Sequence, residues 1–565
     1  MPRPHPSLPS PWAEAVDPDR ESLPDWTQDP TPPVIWSIAG TDSGGGAGLS
    51  ADTRAAAALG VHLCPVVTAV TAQHSQGVQA VFALPSEQIR AQLDALISDM
   101  PPKVLKTGLL ASVAAVHAVA DCIDALRARH GSVMLVVDPV LGASAGGAAF
   151  CDAALLQAYR SSLLPRCDLL TPNRREALHL LGLSPDDAHA PSTPELAAAL
   201  VQHFGPQRLQ VCITGGDDLR LAAGTETLAL DWVQARTLPD RPVQGWLALP
   251  RLSTPHNHGT GCSFASAAAA ALAHGFAMPD ALLLAKRLVW QAVQNGHAAG
   301  AGAGPVRADA RFISQAQSMP VMGFDDELSP SAVTLARWQR VLQGTLPPDK
   351  VLRFKPGLYG ISSDPAQLAA LAATGLFAHL QLRIKAGAGV DIRRLIAAAV
   401  SAVPTSSGCQ IWINDHWRLA LDRGARALHL GQEDWAGLAP DERAHILGAP
   451  GLKLGLSSHS LWELARARGL TPHYIACGPI WPTSTKDMPW LPQGLGQLRH
   501  WVAMAGVPVV AIGGLLSPAR THCTAALGAS ASCVVRALSE GPAIWQQHAL
   551  AFAQGRQEAL AAGLD

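Results

Sequence analysis

Between residues 34 and 302, short apolar runs alternate with longer amphipathic ones. Runs at 34–39, 66–70, 104–107, 133–137, 169–170 and 211–213 have the length and content of buried strands. Segments 51–59, 87–99, 112–130 and 195–204 carry the wider spacing of amphipathic helices. That alternation predicts an α/β unit, a mostly parallel sheet with helices on its faces. Beyond residue 350 the pattern repeats at shorter intervals. Strands are expected at 358–362, 379–384, 410–414, 427–430, 453–456, 474–477, 508–512 and 532–535, with helices such as 365–374, 461–468 and 495–505 between them. Eight strand–helix units within 351–565 predict a small (β/α)₈ barrel, the TIM-barrel architecture. Two stretches lack this texture. Residues 1–33, rich in proline and acidic residues, are expected to form a flexible extension, and 303–350, with five prolines around one helix-like run at 331–342, a linker.

Composition narrows the functional classes. A chain of 565 residues, 48% hydrophobic and 15% charged, has material for several cores. Its 42 Lys+Arg against 44 Asp+Glu leave a net charge of -2, so neither nucleic acid nor an anionic membrane is the expected partner. Ten cysteines form no C-x-x-C pair, which indicates neither a disulfide framework nor a structural zinc. The first residues lack the apolar core of a signal peptide, and a cytoplasmic protein is the expectation. The oligomeric state, a homo-oligomer included, stays open.

The candidate chemistry of the first half centres on 256–262, H-N-H-G-T-G-C, at the start of an alanine-rich helical run. Gly259 and Gly261 allow a tight turn, and the helix start offers unpaired N–H groups and a positive dipole end to a phosphate. Cys262 occupies a position where a thiol pKa is commonly lowered. A second glycine cluster, 39–48, joins the first strand to a helix containing Asp52, but it is not a G-x-x-x-x-G-K-[ST] loop. Asp138, at a strand end, and Glu176 are hard oxygen donors suited to Mg²⁺, although for Glu176 alone a helix cap is the stronger reading.

The ordered motifs A-G-T-D-x-x-G-G-A-G-L-x-A-D (39–52), T-A-Q (71–73), K-T-G-L-L-A (106–111), D-P-V (138–140), T-P-N-x-x-E (171–176) and H-G-T-G-C (258–262) resemble the hydroxymethylpyrimidine/phosphomethylpyrimidine kinases, a branch of the ribokinase-like superfamily. The resemblance implies ATP as co-substrate, Mg²⁺, and two successive phosphoryl transfers. It also implies that the amides of Gly259–Cys262 hold the transferring charge and that Cys262 deprotonates or orients the acceptor. Gly40, Asp52 and Gln73 would bind the aminopyrimidine, while Asp138 and Glu176 organise metal and water. Two positions depart from the family pattern: Thr214 replaces the lysine of a K-G-G element, and Leu109 replaces a methionine.

In the second half, polar residues collect just after the expected strands, where barrels carry their chemistry. They include Arg383, Lys385, Asn414, Asp415, Asp434, Ser457, Thr483, Thr485 and Lys486, followed by Gly513-Gly514. The pieces 380–385, 413–415, 429–434, 455–457, 478–486 and 511–514 resemble thiamine-phosphate synthase, which joins hydroxymethylpyrimidine diphosphate to a thiazole phosphate and releases pyrophosphate. The resemblance implies cationic help for the leaving group from Arg383, Lys385 and Lys486, and metal ligation by Asp415 and Asp434. Gln381 and Asn414 would address the pyrimidine diphosphate, with Ser457 by the leaving group. Thr483, Thr485, Gly514 and the Val535-Arg536 turn would grip the thiazole phosphate. Here too there are departures: Ile384 replaces an acidic residue, and Arg536 stands where the family commonly has serine.

The two resemblances together imply a fused bifunctional transferase acting on small molecules. Two alternatives remain open at this point. One is a pyridoxal-type kinase fused to a thiazole tautomerase. The other is a phosphate-ligand sensor in which one half has lost catalysis.

Overall fold

The computed structural model describes residues 31–142, 151–184, 189–215, 227–238, 241–345, 354–384, 391–403, 407–482 and 492–564. Residues 1–30 of the expected extension, and Lys385, Thr483, Thr485 and Lys486, lie outside the described residues. Contacts divide the chain into two compact units that part between Leu342 and Gln343.

The first unit is built on ten strands: β1 (Val34–Asp42), β2 (His62–His74), β3 (Gly77–Ala83), β4 (Val104–Thr107), β5 (Met134–Val137), β6 (Leu169–Leu170), β7 (Gln210–Ile213), β8 (Leu228–Leu238), β9 (Arg241–Pro250) and β10 (Val321–Met322). They form one sheet in the order β10-β9-β8-β7-β6-β5-β4-β1-β2-β3. The six strands expected from apolar runs make its parallel centre. The edge strands β3, β8, β9 and β10 pair antiparallel and were not anticipated. Their sequences explain the omission, because Asp231, Gln234 and Arg236 interrupt β8 where a central strand would be continuously apolar. Alanines Ala265 and Ala267–Ala271 are wholly buried on the Thr260–Ala273 helix. Small side chains all round let it lie close to the sheet and to its neighbours, the helices Gly48–Ala58 and Met278–Gln294.

One domain boundary needs correction. Residues 303–342, expected to be linker, belong to the first unit. β10 pairs with β9, and the Ala332–Gln343 helix places Leu335 and Trp338 in the same core as Trp232 and Trp246. The prolines that made the stretch read as linker separate short elements rather than leaving it unpacked. Trp338 is 1% exposed, so Trp338→Ala is expected to cost about 3–5 kcal/mol. Urea unfolding followed separately for each unit checks this: the first unit's midpoint falls and the second unit's does not.

The second unit is a closed parallel barrel of β11 (Gly357–Ser362), β12 (Phe377–Leu382), β13 (Gln410–Asn414), β14 (Ala427–Leu430), β15 (Lys453–Ser458), β16 (Tyr474–Cys477), β17 (Val509–Ala511) and β18 (Ala531–Val534). All eight expected strands are present. Tyr359, Trp412, Tyr474 and Cys533 fill the interior with alanines between them, so the barrel is packed and its open face is the mouth at the C-terminal strand ends. Among the described residues no helix is long and apolar enough to cross a membrane.

Candidate active sites

In the first unit, β1 has β4 on one side and β2 on the other, so the chain leaves β1 in one direction and later returns on its far side. Open sheets bind ligands outside the strand ends at such a reversal. A cavity lies there, lined by Gly40, Asp42, Gln73, Leu109, Asp138, Glu176, Thr214 and the turn Gly259–Cys262. Gly259 caps the Thr260–Ala273 helix at φ 90, and a Cβ there would lie 2.2 Å from the Gly46 carbonyl oxygen. The helix therefore starts at the cavity wall, with its first amides lacking preceding carbonyl partners.

Cys262 corrects one expectation. Burial pushes its thiol up to about 12, and Asp138 and Asp52 add to this against the opposing pull of Lys106 and the Gly48 amide. The surrounding carboxylates and desolvation outweigh the helix start. Asp52 corrects another, because it is 0% exposed and does not line the cavity. Its carboxylate accepts from Lys106 at 2.8 Å, Ser37 at 2.6 Å and Ser266 at 2.8 Å. Burial lowers the Lys106 ammonium pKa, but Asp52 more than offsets this and holds it above the usual lysine range. Asp52 thus fixes a buried cation whose field reaches Cys262 and Asp138.

Asp138 and Glu176 share the cavity wall. Burial pushes both carboxyls up, Asp138 to about 6 and Glu176, which also feels Asp138, to about 7. Glu176 is indeed a helix cap, exchanging hydrogen bonds with Asn173 at 2.9 Å, and it faces the cavity as well. Asp138 Oδ2 is buried with no hydrogen-bond partner among the described residues. The unanticipated residues are Asp42 and His258. The Asp42 carboxylate gathers the amides of Gly44, Gly46 and Ala47, and His258 Nε2 lies 3.1 Å from it and 3.2 Å from Gln73 Nε2. Burial opposes ionisation of Asp42, but the His258 ring and these amides hold its pKa below the ordinary value. At the Thr214 departure, Asp231 accepts the Gly215 N–H at 3.0 Å and is itself paired with Lys286 at 2.7 Å.

In the second unit one cavity occupies the barrel mouth. Every expected residue that the structure describes lines it: Gln381, Arg383, Asn414, Asp415, Asp434, Ser457, Gly514, Val535 and Arg536. Gly513 and Gly514 are both left-handed, at φ 97 and 75. Glycine admits that conformation and lets the backbone approach a ligand closely. Asp415 also has positive φ, at 62. A non-glycine residue held there carries local strain, which concentrates at functional sites. Ile384 is buried. Among the described residues no cluster of three or more His, Cys, Asp or Glu is placed to hold a metal.

Residues 42–307 match the family described as Phosphomethylpyrimidine kinase, and residues 358–538 match Thiamine monophosphate synthase. Over 489 residues the chain is 33% identical to a "Probable thiamine biosynthetic bifunctional enzyme, chloroplastic" of Oryza sativa subsp. japonica, covering 86% of this chain and 81% of that protein. The chain belongs to the bifunctional thiamine-biosynthetic enzymes. Its first unit has the ribokinase-like fold, and its second is the synthase TIM barrel. The kinase part is also 41% identical over 276 residues to a "Hydroxymethylpyrimidine/phosphomethylpyrimidine kinase" of Streptomyces coelicolor, covering 49% of this chain and 94% of that one. A pyridoxal kinase structure from Staphylococcus aureus, solved with AMP-PCP and pyridoxal, is 26% identical, covers 50% of this chain and 95% of its own, and has a TM-score of 0.42.

In this bifunctional enzyme the barrel floor holds polar residues that the sequence reading did not single out: Tyr359, His429 and Tyr474, with His459 at the rim. His459 Nδ1 lies 3.0 Å from the buried Glu463. A signal was available for the tyrosines. The chain has three, and two of them occupy inward positions on β11 and β16.

Proposed function

We propose that the first unit phosphorylates a hydroxymethylpyrimidine and then its monophosphate from ATP, and that the barrel couples the resulting diphosphate to thiazole phosphate, releasing pyrophosphate. The observation that carries this reading is that each unit has its own anion-accepting mouth beside a pair of carboxylates. In the first unit the amides at Gly259 and Gly261 receive the transferring phosphoryl charge, and phosphoryl transfer depends chiefly on such positioning. Cys262, with its thiol held protonated, orients the acceptor and donates a hydrogen bond; so little thiolate is present near neutral pH that it is not the base. Gly40 and Gln73 face the pyrimidine, and Asp52 acts through Lys106 as a positioning residue.

The orphaned Asp138 Oδ2 fits a Mg²⁺ ion, which Asp138 and Glu176 would hold; Asp415 and Asp434 offer the same donor type in the barrel. When bound, the ion neutralises phosphate charge. In the barrel, Arg383 adds positive charge beside the departing pyrophosphate, Gln381 and Asn414 seat the pyrimidine, and Ser457 lies by the diphosphate. The Gly514 amide and the Val535-Arg536 turn face the thiazole phosphate. The resemblance adds Lys385, Thr483, Thr485 and Lys486, which lie outside the described residues.

The raised carboxyl pKa values give a signed expectation for the metal-free protein. The folded first unit holds protons on Asp138 and Glu176 that the unfolded chain, with values of 3.8 and 4.5, releases. Stability from this pair is therefore full below about pH 4 and lost as pH rises through about 6–7. Asp138→Asn is expected to raise the first unit's unfolding midpoint at pH 8 in chelator, to change it little at pH 4, and to weaken Mg²⁺-dependent turnover. Equal midpoints for the two proteins at pH 8 would contradict the raised values.

The function is tested in one vessel containing hydroxymethylpyrimidine, ATP, Mg²⁺ and thiazole phosphate, scored for thiamine phosphate. Wild type is expected to form it, Cys262→Ala only when diphosphate is supplied, and Asp434→Ala in neither case. A wild-type chain that forms none from supplied diphosphate is not a synthase.

A further inference from the structure

Across the barrel floor runs an unbroken series of hydrogen bonds between side chains from six different strands or strand ends. Asn414 Nδ2 meets Asp415 Oδ2, and Gln381 Nε2 lies 2.8 Å from Asn414 Oδ1. Tyr359 Oη lies 2.8 Å from Gln381 Oε1 and 2.8 Å from Tyr474 Oη. Tyr474 Oη in turn lies 2.7 Å from His429 Nδ1, and His429 Nε2 lies 3.0 Å from Ser457 Oγ. Each contact contains one proton, and the carboxylate at one end sets all of them. Asp415 only accepts, so Asn414 turns its amide nitrogen to it and its oxygen to Gln381. Gln381 must then donate to Asn414, which leaves its oxygen to accept from Tyr359. With the Tyr359 proton committed, Tyr474 donates to Tyr359, and the Tyr474 oxygen can only accept from His429. His429 therefore carries its proton on Nδ1, and Ser457 donates to the bare Nε2.

We propose that this one-way chain, from Ser457 to Asp415, locks His429 as the Nδ1–H tautomer and fixes which end of the Gln381 amide is oxygen and which is nitrogen. The proposal rests on the reading of the barrel as a synthase for its ligand, and on geometry alone for the chain. Gln381 has four hydrogen-bonding valences toward its surroundings, two donors and a two-lone-pair oxygen. Its oxygen accepts from Tyr359 and one N–H goes to Asn414, which leaves one N–H and one lone pair and forbids the flipped amide. The remaining N–H is the group that recognises a lone-pair nitrogen of the pyrimidine ring. Tyr359, Tyr474 and His429 are positioning residues: they act on the substrate through Gln381.

The surroundings are consistent with a chain that keeps its protons in place. Burial, assisted by Arg383 and His459, pushes the His429 imidazole down to about 3, so the ring stays neutral. Burial also holds both tyrosine hydroxyls above their ordinary range. Space has been made for the central link: a Cβ on Gly455 would lie 2.3 Å from the Tyr474 ring. A buried polar series of this kind is costly unless its members are satisfied, and here each of the six contacts pairs one donor with one acceptor.

The test uses the full-length protein with ¹⁵N-labelled histidine, in the absence of ligand. A two-bond ¹H–¹⁵N spectrum near neutral pH, with His429 identified from the spectrum of His429→Asn, is expected to show a protonated Nδ1 and a bare Nε2. Tyr474→Phe removes the Nδ1 acceptor and is expected to shift His429 toward the Nε2–H tautomer. Tyr359→Phe releases the Gln381 oxygen, so KM for the pyrimidine diphosphate is expected to rise about tenfold while KM for thiazole phosphate and the kinase rate stay unchanged. His429→Asn, which keeps an N–H at the Nδ1 position, is expected to retain a lower KM than His429→Leu.

An Nε2–H tautomer in wild type overturns the proposal, and so does a Tyr359→Phe protein with unchanged KM. If Tyr359→Phe does not fold, the wild-type tautomer still decides. A wild type with the Nδ1–H tautomer but no thiamine phosphate would leave the chain standing and remove the synthase reading. The reverse pair of results would do the opposite.

Discussion

Replacing Gly259 with alanine is expected to lower phosphoryl transfer by the first unit about a hundredfold to a thousandfold and to leave the synthase reaction unchanged. Two costs act together. The residue sits at φ 90, and an L-residue in the left-handed region costs about 1–2 kcal/mol. The added Cβ would also lie 2.2 Å from the Gly46 carbonyl oxygen, which is backbone and has little room to yield. Relief comes from rotating the turn, and rotation swings the first amides of the Thr260–Ala273 helix away from the cavity. Donors aimed at developing charge lose their value when misaligned by small amounts. The measurement is ADP release with hydroxymethylpyrimidine, alongside thiamine phosphate formation from supplied diphosphate. A loss below tenfold would show that this turn does not hold the transferring group.

Arg383→Leu is expected to lower thiamine phosphate formation about a hundredfold to a thousandfold, with the kinase rate unaffected. Arg383 follows β12 at the mouth, its backbone N–H fixed to the Ser362 carbonyl at 2.9 Å. The departing pyrophosphate gains negative charge in a partly desolvated space, where a guanidinium is worth more than in water. Leucine keeps the aliphatic bulk and removes the charge. A second consequence follows for His429, whose imidazole pKa is held down first by burial and then by Arg383. Removing Arg383 leaves burial in place, so His429 is expected to stay neutral and its NMR tautomer to persist. Loss of activity with an unchanged His429 signal would place the effect on the ligand. A concurrent change of tautomer would place it on the floor of the barrel.

The barrel site was legible because a barrel has one address for chemistry. Once eight apolar runs fix the strands, whatever follows each run lies at one mouth, and Arg383, Asn414, Asp415, Asp434 and Ser457 could be placed together by counting, with Gln381 added by the resemblance. The crevice of the first unit was legible where a motif is also a backbone shape, as at Gly259. It was misread where burial decides. Asp52 belongs to a recognisable string, yet nothing in that string says that Lys106, Ser37 and Ser266 close around it. The Cys262 thiol was expected low from its place at a helix start and is high because two carboxylates and desolvation surround it.

By itself the sequence determined the local and periodic features of this protein: the strand–helix alternation in both units, the glycines that admit a tight turn, and the donors that end each strand. These follow from interactions within a few residues of chain, or from a repeat whose period is set by the pleat or the helical turn. Tertiary structure alone decided that 303–342 closes the first sheet, that Asp52 and Lys106 share a covered pair, and that two tyrosines 115 positions apart touch across a barrel. Those outcomes depend on desolvation and on which proton each group has left to give. Both are properties of a surrounding shell drawn from distant parts of the chain.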